Sequence, residues 1–184
     1  MVFSAGKIAL MGVLIALAIA LKLPILSIPN VELLTFVIFA SGFLLGAIEG
    51  ALVGVIAMSI YTTLISPYGI PPLPIAIAQI VSMGLIGLAG GLTSVTVRVA
   101  AWRYTFSNPL PFAIAIGTCG VALTMVYDLL TNLAVAFVMG QWMPVLLAAV
   151  PFALLHILSN LAIFLILSPL LLRLSKTRIS GVPT

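Results

Sequence analysis

Apolar residues follow one another in this chain in long runs. The runs lack the polar stripe that a helix on the surface of a soluble protein shows every turn. Short clusters of proline, glycine and polar residues separate them, and most runs approach the length that crosses a hydrocarbon core. The pattern predicts a first helix from about Gly6 to Leu23, then a loop bracketed by Pro24 and Pro29. A second helix runs from near Val31 to Ile48 and a third from Gly50 to Ile65. The segment from Ser66 to Pro74 carries four prolines and cannot be regular helix. A fourth helix is predicted from Ile75 to Val97, a polar loop from Arg98 to Pro111, and a fifth helix from Phe112 to Val138. A tight turn from Gly140 to Pro144 leads into a sixth helix, Val145 to Leu174, with Pro151 and Pro169 inside it.

The stretch from Val31 to Ile65 reads either as one long tilted helix or as two short ones turning near Glu49, and the charges favour two. The 184 residues hold only seven Lys or Arg and three Asp or Glu. Six of the seven bases sit at the N-terminus (Lys7), in one interior loop (Arg98, Arg103) and in the tail (Arg173, Lys176, Arg178). With six spans these three places share one side, and only Lys22 falls on the other. Basic short loops mark the cytoplasmic side. The expectation is therefore an all-α integral membrane protein: one transmembrane domain over residues 1–184, a six-helix bundle with both termini cytoplasmic. Glu49 then falls at an inner turn, where a carboxylate can be hydrated. A composition 64% apolar excludes a soluble globule. The first run resembles a signal peptide but lacks a convincing small-residue cleavage site, so it is read as the first helix. The bases lie in separate loops, so no nucleic-acid surface is expected. The lone Cys119 reads as a packed core residue.

This topology assigns a depth to every polar residue. Asn30 and Glu32 open the second helix at the outer face. Tyr61 lies near the outer end of the third helix, and Tyr68 lies in the outer loop. Gln79 is one turn into the fourth helix. Tyr127, Asp128, Thr131 and Asn132 occupy the outer half of the fifth helix; His156 and Asn160 lie two and three turns into the sixth. Polar groups from five helices thus converge on the outer half of the bundle. The spacing of Asp128 with Thr131 and Asn132, and of His156 with Asn160, puts each set on one helix face. A carboxylate at membrane depth marks a cavity or a partner. Lys22 and Glu32 flank the first outer loop and can pair across it. Gly42, Gly46, Gly50 and Gly54 recur every four residues, with Gly84, Gly87 and Gly91 on the fourth helix. Such residues let backbones approach closely. Gly12, Ala16 and Ala20 form a smooth stripe on the first helix, beside Ala5 and Ala9.

The chain has no P-loop, no His-Glu-x-x-His and no Gly-x-Ser-x-Gly, and a single histidine. Neither catalysis, a metal nor a cofactor is expected; an outward-open polar pocket suits capture of a small solute. The alternative is a stand-alone transporter or channel, proton-coupled through Asp128 and His156. A membrane enzyme or assembly factor would need reactive residues that the chain does not display.

Over nearly its whole length the chain resembles the substrate-binding S-components of energy-coupling factor (ECF) vitamin transporters. The similar stretches are Asn30-Val31-Glu32, Gly42 to Gly54, Tyr127 to Asn132 and Pro151 to Asn160. The resemblance implies a cell-membrane subunit that binds a vitamin-like micronutrient at its outer side. It would dock on a membrane scaffold subunit driven by two cytoplasmic ATPases. An Ala-x-x-x-Ala surface on the first helix makes that contact in the family, and here Ala16 and Ala20, with Gly12 one turn earlier, match the spacing. Ala5 and Ala9 match it as well. The loops between helices 1 and 2, 3 and 4, and 5 and 6 would cap the site. No complete signature for biotin, thiamine or riboflavin is present, so the solute stays open.

Overall fold

A computed structural model describes residues 4–101 and 109–179, with the side chains of 98–101 and 175–179 left undescribed. Among the described residues the chain is all-α, with six α-helices: α1 (Ala5–Lys22), α2 (Leu34–Leu45), α3 (Ala47–Ile60), α4 (Leu73–Ala101), α5 (Leu110–Met139) and α6 (Trp142–Ile179). All but α2 belong to stretches long and apolar enough to cross a membrane. Large apolar side chains such as Val13, Leu147 and Ile166 stand exposed on the outer faces. The chain is therefore a multi-pass helical membrane protein. Arg103 lies outside the described residues, and Arg98, Lys176 and Arg178 have no described side chain.

The break between the second and third helices is real, but it falls at Gly46 rather than Glu49. Gly46 has φ +123°, a backbone that only glycine adopts without strain. The carboxylate of Glu49 can then reach back over the first turn of α3. Where an exposed carboxylate was expected, Glu49 is buried and pairs with Lys7 of α1. Helix α2 is also shorter than predicted. Its 12 residues rise about 18 Å, against a hydrocarbon core of about 30 Å. Every residue of α2 except Leu44 is buried, as suits a helix apolar on all sides. It is the central post of the bundle.

The glycines set how closely the neighbours of α2 approach. A Cβ on Gly42 would fall on the Gly87 carbonyl oxygen, and one on Gly87 would fall on the Gly50 carbonyl. Backbones of α2, α3 and α4 thus touch directly. On the other side, Phe36 and Phe39 of α2 meet Phe164 of α6 at centroid separations of 5.2 and 5.3 Å. Gly120 of α5 leaves room for the same Phe164 ring. Phe43 and Phe112 lie 6.2 Å apart, placing the start of α5 beside the end of α2. Proline is accommodated inside α6. Pro169 has no N–H for the Leu165 carbonyl, and the Ser168 hydroxyl donates to that carbonyl instead at 2.9 Å.

Irregular backbone collects at the end of the bundle away from Lys7 and Glu49. After α1 comes a short 3-10 turn, Leu23–Ile25, and a loop continuing to Leu33. Here the expected helix start at Val31 gives way to loop, with Asn30 at φ 57°. Likewise α3 ends not as α-helix but in a π turn, Tyr61–Ile65. Such turns are frequent at functional sites.

Candidate functional site

Three adjoining cavities open at this end, of about 310, 260 and 320 Å³. Asn30 and Tyr127 line all three. The first adds Lys22, Glu32, Tyr61, Tyr68 and His156; the second adds Tyr61, Thr62, Ser66, Tyr68 and Gln79. The third adds Gln79, Asp128, Thr131, Asn132 and His156. Ten of the eleven residues expected at a site are thereby brought together. They come from α3's π turn, α4, α5, α6 and the two loops. Asn160 is the exception. It lines none of these cavities, is fully buried, and donates from Nδ2 to Thr124 Oγ1 at 2.9 Å, tying α6 to α5.

The electrostatic centre is a line of ionisable groups. The Lys22 ammonium pairs with Glu32 Oε2 and lies 4.5 Å from the centre of the Tyr61 ring. Glu32 Oε1 accepts from Thr35 Oγ1 at 2.6 Å and faces His156 Nε2 at 3.8 Å. His156 Nδ1 lies 2.8 Å from Asp128 Oδ1, so the ring N–H donates to that carboxylate. The edge of His156 meets Tyr127, with ring centres 5.8 Å apart. Burial by itself would push the Glu32 carboxyl up. The Lys22 ammonium and the His156 ring outweigh it and hold this carboxyl well below the usual range. Glu32 thus has both oxygens engaged, whereas Asp128 Oδ2, also buried, accepts no hydrogen bond from the described residues.

The loop carrying Asn30 is fixed to α6. Asn30 Nδ2 donates to the Phe152 carbonyl at 2.8 Å, and Ser159 Oγ donates to the Asn30 carbonyl at 2.9 Å. The left-handed backbone at Asn30 allows both, a role that asparagine fills more readily than most residues. Tyr68 is 83% exposed and stands at the entrance. Thr62 Oγ1 reaches Gln79 Oε1 at 3.4 Å, joining the π turn to α4. Lys22, Thr62 and Ser66 were not among the residues expected to bind. The pairing of Lys22 with Glu32 was legible in the sequence; its place on the cavity wall follows from that pairing.

A fourth cavity, about 570 Å³ and mostly apolar, runs between α5 and α6. Asp128, Asn132, Ala149 and Ala153 border both it and the third polar cavity. At the opposite flank, Gly12, Ala16 and Ala20 of α1 are exposed, as are Ala5 and Ala9. A Cβ built on Gly12 meets nothing within 4 Å. Among the described residues this stripe faces away from the rest of the bundle. Comparison with protein-family models, with curated proteins and with solved structures gives no match to this chain.

Proposed function

We propose that this chain is a membrane-embedded binding subunit that captures a small organic solute, of the kind represented by the S-components of ECF vitamin transporters. One observation carries the reading: three adjoining polar cavities at one end of an otherwise apolar bundle share Asn30 and Tyr127. Cavities of this size, with few convergent polar groups, suit a small-molecule ligand. On this reading the cavity end faces outward and the end bearing Lys7 and the basic tail faces the cytoplasm of a prokaryotic-type cell membrane. The exposed Gly12, Ala16 and Ala20 supply a smooth helix face for the scaffold subunit, which two ATPases drive. Transport then needs those partners. The purified chain should hold a small organic solute through detergent extraction, visible as added mass in native mass spectrometry. Reconstituted by itself in liposomes, it should give no net uptake. Sustained uptake by the isolated chain would overturn the reading.

The line from Lys22 through Glu32 and His156 to Asp128 favours a second reading, a proton-coupled transporter acting by itself. Against it, no further acidic, basic or histidine side chain among the described residues continues the line toward Lys7 and Glu49. The space between is filled by Phe36, Phe39 and Phe164. Solute uptake driven by an imposed pH gradient would favour this alternative.

A further inference from the structure

The polar cavity beside Asp128 constrains the chemistry of what fills it. Asp128 is 8% exposed, and its two oxygens differ sharply. Oδ1 receives the His156 ring N–H at 2.8 Å, while Oδ2 receives nothing from the described residues. A buried carboxylate oxygen is costly to leave without a donor. Two of the nearby donors are committed elsewhere. The Thr131 hydroxyl donates back to the Tyr127 carbonyl at 2.8 Å, and the Lys22 ammonium is held by Glu32. No described Lys or Arg lines this cavity; His156 is turned through Nδ1 to Asp128, and its Nε2, 3.8 Å from Glu32 Oε1, makes no hydrogen bond with the described residues. An anion entering this cavity would meet the Asp128 carboxylate. An entering N–H donor would meet Asp128 Oδ2, with the Tyr127 ring on the same wall.

Taking solute capture as the function, we infer that the solute presents an amine, amidine or amino-heterocycle N–H to Asp128 Oδ2, and is not an anion at that end. The cavity of about 320 Å³ accommodates such a group together with a small ring.

Three planar probes matched in size test this: benzamidinium, benzamide and benzoate. Each is titrated into the full-length protein in mild detergent, stripped of co-purifying solute, and followed by calorimetry and by the shift in melting temperature. Benzamidinium should bind about tenfold or more tighter than benzoate, with benzamide between them. Asp128→Asn, which keeps the shape but not the charge, should reduce that preference to about threefold or less. The ranking in the unaltered protein stands even if that variant folds poorly. Benzoate binding as well as benzamidinium, or a preference unchanged in Asp128→Asn, would overturn the inference and leave solute capture standing. Failure of all three probes, with no solute mass on the freshly purified protein, would overturn both.

Discussion

Alanine at Gly87 places one methyl group against the backbone of α3. The new Cβ would land on the Gly50 carbonyl and close to the Ala51 nitrogen, and none of these atoms belongs to a flexible side chain. Relief requires α3 and α4 to separate by about 1 Å. Such a gap forfeits roughly a quarter to a half of each interfacial contact, at about 0.1–0.2 kcal/mol per atom pair. Over roughly forty pairs along this seam the loss is about 1–4 kcal/mol, in line with the usual cost of overpacking. Gly12→Ala is the internal control, since its Cβ meets nothing within 4 Å. It should be neutral or stabilise by up to about 1 kcal/mol through helix propensity. Cys119, the only cysteine and only partly buried, supplies the assay: a thiol-reactive fluorophore reports unfolding on heating in mild detergent. Gly87→Ala should melt several degrees lower than the unaltered chain, and Gly12→Ala no lower. Equal melting of the two variants would refute the idea that backbone contact at the glycine seam holds the bundle.

Other outcomes follow from the cavity end. Glu32→Gln should destabilise by about 3 kcal/mol by leaving the Lys22 ammonium buried without its carboxylate, whereas Lys22→Met combined with Glu32→Met should cost less than the sum of the singles; a double-mutant cycle of melting temperatures measures the coupling. Because the folded-state carboxyl of Glu32 is held below its ordinary value of 4.5, its contribution is full above that value and is lost progressively as pH falls from there through the folded one. The melting difference between Glu32→Gln and the unaltered chain should thus stay constant from about pH 7 to about pH 5 and shrink in stronger acid. Asn160→Ala should lower stability by about 1–2 kcal/mol through loss of the Thr124 bond, yet leave the affinity for benzamidinium within about twofold in calorimetry.

How much of this was legible in the sequence differs between helix and loop. The close approach of α2, α3 and α4 follows from four-residue glycine spacing, which acts locally, whereas the apolar runs leave one helix or two open between Val31 and Ile65 and only the distribution of charge favours two. The exact turn did not follow, because Gly46, Gly50 and Glu49 all fit a break; only a backbone at φ +123° selects Gly46. The depth argument assigned Tyr127, Asp128, Asn132 and His156 to one end, and they line cavities there. It placed Asn160 with them because one turn of helix rise is small. Yet that one turn separates a cavity wall from a sealed contact with Thr124. The π turn at Tyr61–Ile65 has no comparable signature in composition.

The brevity of α2 explains why a polar chamber can exist in so apolar a chain. A 12-residue central helix leaves about 12 Å of a membrane core unfilled by helix at one end or shared between both. At the cavity end the chain fills that depth with the loop from Leu26 to Leu33. Irregular backbone at such depth is tolerated only where protein or an aqueous cavity satisfies it. The Asn30 carbonyl is satisfied by Ser159, and the Asn30 side chain by the Phe152 carbonyl. The same loop delivers Glu32 to Lys22 and His156, so one element both caps α2 and furnishes the wall of the cavity. The helix that reads as an incomplete span is therefore what leaves room for the cavities at this end.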